Sequence, residues 1–386
     1  MINFIDIVVF VICGCNVVYL LFFAIASLFY KKKKISTNLE KELKIAILIP
    51  AYKEDSVILD CVNSCLAQKY ESTHYDVIVT SDQMEDHTNQ ILRQSGAKVV
   101  IANYSESTKT KALNLAFESL PDNYYDIALI LDADNIIPQH YLEELCKIFN
   151  SGKCNAYQTH RVEKNFNNKL AYLDAVSEEV NNSIFRKGHC AIGFSSALIG
   201  SGMAFDYKLI KHYLSQMQAV GGFDRELEFR LFKAGEKIGY VEDLLVYDEK
   251  ISSFNGFSNQ RRRWMSAQIY YLKTFILDFL KELIKGHFDF CDKLLQHLCF
   301  PRILLIGTVS ICSILATIID INLGLKWWIL FAAMSCTILI SIPRRLYSRE
   351  LLKALLALPK TFLVMFSNIF KLKNANKRFI HTSHGK

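Results

Sequence analysis

Proline and glycine are scarce in this chain, at 6 and 16 among 386 residues, and outside the loops they are sparse. Collagen-like and Pro/Gly-rich disordered classes are therefore excluded, and no internal repeat or low-complexity segment is apparent. The 11 cysteines contain no CxxC pair and no zinc-type His/Cys spacing, which removes a thiol redox motif and a zinc finger from consideration. Several of them (Cys13, Cys15, Cys312, Cys336) stand inside apolar stretches and read as reduced, structural thiols. Cys61 and Cys65 share a helix face at i,i+4, but with no further Cys or His in register they read as core residues. Strong charge of one sign is also lacking. The net +7 is modest, and its basic clusters, Lys31 to Lys34, Arg344-Arg345 and Lys371 to Arg378, sit beside apolar runs, which suits anionic lipid headgroups and not nucleic acid.

What is present is a mixed pattern. The residues are 51% hydrophobic and the mean hydropathy is +0.16, too apolar for an ordinary soluble enzyme and too polar for a fully embedded transporter. Ile7 to Tyr30 is an almost unbroken apolar run, long enough to cross the roughly 30 Å hydrocarbon core. No basic n-region precedes it and no small-residue cleavage site closes it, so an uncleaved anchor is expected over 1–31. Under the positive-inside rule, Lys31 to Lys34 then places the chain from Lys31 onward in the cytoplasm. Ile303 to Ile321 and Leu325 to Ile342 are expected to form a transmembrane hairpin (301–343), joined by a short loop with Trp327 and Trp328 at the interface. Pro343-Arg344-Arg345 returns the chain to the basic side. Ala354 to Phe370, with Pro359 and Lys360, reads as an interfacial or re-entrant helix within a cytoplasmic segment 344–386 that ends in a basic tail. Residues 269–300 mix Leu, Phe and Tyr with Lys and Asp at helical spacing. They are expected to form an amphipathic helix on the membrane, or a surface helix covering the soluble domain.

The soluble middle, 44–268, alternates buried-strand and helical patterns. Lys44 to Pro50, Tyr75 to Thr80, Lys98 to Ala102 and Asp126 to Leu131 read as strands, with helices over Ser56 to Gln68, Thr88 to Ser95 and Lys109 to Leu120. Such alternation predicts an α/β domain with a mostly parallel sheet. Ligands of these sheets bind beyond the carboxyl ends of the strands, where Asp82 and the Asp132-Ala133-Asp134 trio fall.

Two carboxylates flanking a small residue at a strand end can hold Mg²⁺ or Mn²⁺ together with diphosphate oxygens, although acids after strands also commonly cap helices. Asp82 can accept from a base-edge N–H or form an Asx-turn, and Asp86 reads as the cap of the following helix. Lys109 opens a helix from which it can reach a phosphate or a ribose, and Lys111 reads as a solvated charge. Gly200-Ser201-Gly202 suits a backbone that closely approaches a ligand, or a tight turn into a core strand. Asp224, at the start of an amphipathic helix, is a cap or a general base, with Glu226 and Glu228 competing for the second role. The run Gln260-Arg261-Arg262-Arg263-Trp264 offers forked hydrogen bonds for a diphosphate and an indole face for a sugar ring.

On these motifs the chain resembles the processive-type family-2 glycosyltransferases, the group with cellulose, hyaluronan and chitin synthases, poly-N-acetylglucosamine synthases and ceramide glucosyltransferases. The matching residues are Ile49-Pro50-Ala51-Tyr52-Lys53-Glu54, Asp82, Lys109 to Asn114, Asp132 to Asp134, Gly200 to Phe205, and the QxxRW set Gln260, Arg263 and Trp264. Where the family usually carries Thr-Glu-Asp at its base, this chain has Gly222-Phe223-Asp224, and Arg230-Leu231 downstream aligns Asp224 with the base. The resemblance implies a GT-A fold, a nucleotide-diphosphate sugar donor, here a UDP-sugar, a divalent metal (Mg²⁺ or Mn²⁺) at Asp132 and Asp134, and inversion at the anomeric carbon.

Under this reading Asp224 deprotonates the acceptor hydroxyl, Arg261 to Arg263 add positive charge, Trp264 stacks on the acceptor sugar, and Gln260 with Gly200 to Gly202 shapes its pocket. A glycan acceptor in polysaccharide synthesis stands ahead of single transfer to a lipid acceptor, and a channel would need association into a homo-oligomer. A non-catalytic nucleotide-sugar-binding membrane protein and a nucleotidyltransferase are the rival classes.

Overall fold

The computed structural model describes residues 2–32 and 41–372. Lys33 and Lys34 of the first basic cluster, and the basic tail from residue 373 on, lie outside the described residues. The chain opens with α1 (Ile2–Ser27). The sheet-bearing part comprises β1 (Ile45–Tyr52), α2 (Ile58–Leu66), β2 (Tyr75–Asp82), α3 (Asp86–Gln94), β3 (Lys98–Ala102), α4 (Lys109–Glu118), β4 (Ile127–Ile130), α5 (Tyr141–Asn150), β5 (Ala156–Glu163), α6 (Lys169–Asn181), α7 (His189–Ala191), β6 (Met203–Asp206), α8 (Tyr207–Ser215), α9 (Phe223–Lys233) and β7 (Ile238–Asp248). A helical remainder comprises α10 (Phe254–Phe275), α11 (Phe279–Ile284), α12 (Phe288–Leu298), α13 (Arg302–Ile319), α14 (Ile321–Ser341), α15 (Arg349–Leu355) and α16 (Leu358–Ile369).

The seven strands form one sheet in the order β3-β2-β1-β4-β6-β5-β7, parallel except for β6, which runs antiparallel to both β4 and β5. Alternate residues of β1 explain why the sheet is covered on both sides. Ala46 and Leu48 pack into one hydrophobic cluster with α4, α8 and α9, while Ile45, Ile47 and Ile49 pack into another with α2 and α5. A strand buried on both faces reads as a continuous apolar run, which is why β1, β2 and β4 are visible in the sequence; β3, at the sheet edge with Lys98 and Ile101 exposed, shows instead by its β-branched residues. Strand β5 is not, because its Gln158, Thr159, His160 and Arg161 are polar yet buried. Their side chains bond partners distant in sequence, Arg161 for instance pairing through its Nη2 with Glu178 at 3.0 Å. The cap position of α3 is Glu85, and Asp86 is the first residue of that helix.

Among the described residues, three helices are long and apolar enough to cross a membrane, α1 from Phe4 on, α13 and α14, and a fourth span is added if α15 and α16, bent by 42° at their junction, are taken together. Helix α14 starts directly after Asp320, so Trp327 and Trp328 lie inside the helix and not in a connecting loop. Trp327 is buried, donates to Asp6 at 2.8 Å and meets Phe10 edge-on, while Lys326 pairs with the same aspartate, so these groups tie α14 to α1.

Residues 269–300 do not form one helix. Helix α10 runs on to Phe275, a tight turn at Ile276–Asp278 breaks it, and α11 and α12 come next. Within this stretch Phe290 and Leu294 are buried in the core beside the sheet, whereas Leu277, Leu280 and Ile284 are exposed.

Helix α6 continues as a π-helical segment, Asn182–Gly188, and α1 packs on it. Gly188 permits that approach, since a Cβ there would stand 2.2 Å from the Phe23 carbonyl oxygen. Gly188→Val is expected to separate α1 from the soluble domain and to cost about 1–3 kcal/mol, the range for overpacking, read as a lowered melting temperature in detergent. An unchanged melting temperature would show that the two helices yield freely.

Candidate functional site

The carboxyl ends of β1, β2 and β4 open into a cleft of about 500 Å³. Of the residues predicted from sequence, Asp82, Lys109, Asp132, Gly200, Asp224, Gln260, Arg261, Arg263 and Trp264 line it. Asp134, Ser201, Gly202 and Arg262 do not, for physical reasons visible in their contacts.

Asp132 leaves β4 and projects into the cleft, where the Lys109 ammonium pairs with it and also donates to the Gly200 carbonyl at 2.7 Å. Asp134, two residues on, is turned inward and buried. Its Oδ2 accepts from the Glu249 amide at 3.0 Å and its Oδ1 from Asn135 at 3.2 Å. Ser201 and Gly202 lie beneath the floor. The Ser201 hydroxyl bonds Asn135 and accepts from the Asp132 amide at 3.1 Å, so Ser201 braces the Asp132 loop, and the Gly202 carbonyl accepts from Thr159 at 2.8 Å, which ties Gly202 to β5. For Arg262 the reason is helix geometry. Consecutive residues of α10 point about 100° apart, so Gln260, Arg261, Arg263 and Trp264 share one face, and Arg262 turns aside to Asn259 at 3.2 Å.

One metal-competent group was not visible in the sequence. Asp248, at the end of β7, joins Asp132 and Asp134, with ligand oxygens all within 4.8 Å of one another. Three carboxylates are the hard-oxygen set that suits Mg²⁺ or Mn²⁺, so these residues fit a divalent cation. Burial alone would raise the Asp248 pKa, but Arg161 at 3.4 Å and Lys250 at 2.9 Å outweigh it and hold the carboxyl below its usual range. The signal for Asp248 was a carboxylate closing the apolar run of a strand that polar neighbours disguised.

Asp82 ends β2 and is buried; its Oδ1 has no hydrogen-bond partner, and burial pushes its pKa up against the opposing Ser107 hydroxyl and Lys53. Gln260 also carries a buried Oε1 without a partner. Arg263 stands near enough to Asp132 to feel its charge, which opposes the lowering of its pKa by burial. Arg261 pairs with Asp174 and lies over the Trp264 ring at 4.4 Å, so one indole face is already covered. Burial lowers its pKa despite Asp174.

Gly222 sets Asp224 in place. It caps α9 in the left-handed region (φ 67°), and a Cβ there would meet the Ala267 methyl at 2.9 Å, so only glycine lets α9 start this close to α10. Asp224 then lies in the first turn, within 4.0 Å of where a Cβ on Gly200 would be. The competing carboxylates are engaged elsewhere. Glu226 pairs with Arg230 at 2.7 Å, and Glu228, fully buried, pairs with Lys293 at 2.6 Å and accepts from the Leu198 amide at 2.8 Å.

Comparisons with known proteins identify the family. Residues 43–267 match the model of the family described as glycosyltransferase like family 2. A protein of Bacillus subtilis (strain 168), named probable glycosyltransferase YdaM, is 22% identical over 259 residues, 63% of this chain. The chain spans 60% of that relative's length. Among solved structures, the mannosyltransferase PcManGT from Pyrobaculum calidifontis in complex with GDP-Man and Mn²⁺ superposes with a TM-score of 0.56 at 15% identity, over 88% of this chain and 97% of that one. S. aureus TarS 1-349 in complex with UDP-GlcNAc gives a TM-score of 0.46 at 14% identity, over 87% and 91%. The family match covers more than half of the chain and contains every cleft-lining residue from Asp82 to Trp264, and on that ground this protein belongs to glycosyltransferase-like family 2.

Proposed function

We propose that this chain is a membrane-bound, inverting glycosyltransferase of the processive type. It moves a sugar from a nucleotide-diphosphate sugar, with UDP as the favoured nucleotide, to a glycan acceptor in polysaccharide synthesis, on the cytoplasmic side of the cell membrane. One observation supports it above the rest: Lys109, Asp132 and Arg263 line the same cleft as Asp224, and that cleft is also lined by Leu20, Ile303 and Met365 of apolar helices. Donor chemistry and a membrane-delivered acceptor thus meet in one space.

The geometry suggests a role for each group. The bare Oδ1 of Asp82 accepts from an N–H of the nucleotide base. Lys109 and Arg263 bring positive charge to the diphosphate, and Gln260 offers its unpartnered Oε1 to a sugar hydroxyl. Asp224 takes the acceptor proton as the hydroxyl attacks, and a single in-line displacement inverts the anomeric carbon. A divalent cation held by Asp132 and Asp134, with Asp248 behind them, would neutralise charge on the departing diphosphate. The ligands of the Pyrobaculum calidifontis enzyme, GDP-Man and Mn²⁺, support that class of donor and ion.

The test is nucleoside diphosphate release by detergent-purified protein across UDP- and GDP-sugars with Mg²⁺ or Mn²⁺. Release of a nucleoside diphosphate from one donor is expected; release of pyrophosphate would indicate a nucleotidyltransferase, and donor binding without turnover under any acceptor a binding protein. A second expectation concerns Lys109, whose ammonium competes for the ion at Asp132. Lys109→Met is expected to raise Mn²⁺ affinity without nucleotide by about tenfold, the worth of ~1.4 kcal/mol, and Asp132→Asn to lower it by as much. Titration of the free Mn²⁺ signal by electron paramagnetic resonance reads both. Equal affinity in all three proteins would move the ion elsewhere.

A further inference from the structure

The membrane end of the cleft holds charge that the transfer chemistry does not use. Arg186, His297 and Arg302 line it together with the apolar Leu20, Ile303 and Met365. Arg302 is the first residue of α13, and its Nη2 donates to the Ser177 carbonyl at 2.9 Å and hydroxyl at 3.2 Å. Its Nη1 is shut off from solvent and has no hydrogen-bond partner. The carboxylate in its vicinity, Glu178, is engaged by Arg161 at 3.0 Å and Arg186 at 3.3 Å, and the neighbouring Arg261 has Asp174 as its partner. Arg302 is therefore a cation surrounded by cations whose carboxylates are already shared. An uncompensated charge out of water is costly, so this place is built for an anion, and the opening N–H groups of α13 add to the same field.

Its depth identifies the kind of anion. Leu20 lies seven residues before the end of α1 at Ser27, which at 1.5 Å per residue is about 10 Å further along the axis. One end of the cleft thus runs down between apolar helices while Arg302 stands at the end of a membrane-length helix, the level at which headgroup phosphates are found. His297 adds a polar contact of a different type. Its Nδ1 is bonded to the Lys293 carbonyl at 2.8 Å and so carries the proton, which leaves the buried Nε2 as an acceptor without a partner. Burial, with Arg225 and Lys293 nearby, holds the ring well below its usual pKa and keeps it neutral, suited to accept from a hydroxyl.

We propose that the acceptor is a saccharide carried on a lipid phosphate or diphosphate. The phosphate sits at Arg302 and the start of α13, the hydrocarbon lies along Leu20, Ile303 and Met365, and the sugar faces His297 and Asp224. This deepens the transferase reading and rests on it. A neutral glycan would leave Arg302 uncompensated.

The experiment uses farnesyl diphosphate as the probe on the full chain in detergent, with saturating UDP to block the donor site, and with farnesol and inorganic pyrophosphate in parallel. Farnesyl diphosphate is expected to bind at least tenfold more tightly than either fragment. Arg302→Gln is expected to lose at least tenfold of that affinity, and Arg302→Lys less, while both retain the wild-type Kd for UDP. Equal binding by Arg302→Gln, displacement of the probe by UDP, no binding by the wild type, or pyrophosphate binding as well as the lipid would each overturn the proposal. If Arg302→Gln also loses UDP and has therefore collapsed, Arg302→Lys decides, since a distorted guanidinium site weakens farnesyl diphosphate and spares UDP. Wild-type protein that binds no UDP and releases no nucleoside diphosphate from any donor would instead sink the transferase reading itself.

Discussion

Asp224→Asn is expected to lower kcat by about 10²–10⁴-fold, the usual contribution of a general base, while leaving donor affinity within about twofold of the wild type. The isosteric amide keeps the first turn of α9 and the packing of Gly222 on α10, so a loss of rate without a loss of binding belongs to proton transfer. The comparison that gives this its force is Glu228→Gln. Glu228 is fully buried against Lys293, and its pKa is pushed up by burial, and further by Asp224, against the opposing pull of Lys293. Removing that carboxylate strands an ammonium in the interior, so Glu228→Gln is expected to lower the melting temperature first and activity only in consequence. The opposite pattern, with Asp224→Asn active and Glu228→Gln folded but inert, would transfer the base role to Glu228.

Glu178→Gln is expected to destabilise the soluble domain by about 3–5 kcal/mol, the cost of breaking a buried ion pair from one side. Glu178 is buried between Arg161 and Arg186, and although burial pushes its pKa up, those two arginines and Lys250 bring it down from 4.5 to about 2. At 1.36 kcal/mol per pH unit that depression corresponds to about 3 kcal/mol. Because the folded pKa is the lower one, the contribution is complete above about pH 4.5 and disappears as pH falls toward 2. The melting temperature in detergent should therefore fall more steeply with acid in the wild type than in Glu178→Gln, with the two curves converging near pH 2. Parallel curves would mean that the arginines are compensated by other groups.

How much of this was legible in the sequence depended on where each residue's partners lie. Strands β1, β2 and β4 and the DxD after β4 were legible because a doubly buried strand must be a continuous apolar run, and the acids just past it must stand at its carboxyl end, while the edge strand β3 was legible by its β-branched residues. The QxxRW run was legible as chemistry, but its setting in the first half of a 22-residue helix, which separates Arg261 and Arg263 from Arg262, was not. Strand β5 stayed hidden because Arg161 is neutralised by Glu178 from another element. Ser201 and Gly202 pointed to a ligand by their small size, yet Ser201 bonds the Asp132 loop and Gly202 packs closely on Thr159 and Val246. For Glu226 and Glu228, the sequence showed three acids on one helix, and only their partners Arg230 and Lys293 distinguish them from Asp224.

The sequence by itself determined the α/β class, the apolar helices flanking it, and the residue types of a diphosphate-handling cleft, because hydrophobic period and run length are local properties of the chain. Tertiary structure alone decided which carboxylates remain available and which are neutralised. It also brought Asp248 beside Asp132 and Asp134, and led the cleft on to Leu20, Arg302 and Met365. Charge compensation and cavity shape are set by groups up to hundreds of positions apart, and no periodicity of the chain encodes their distance.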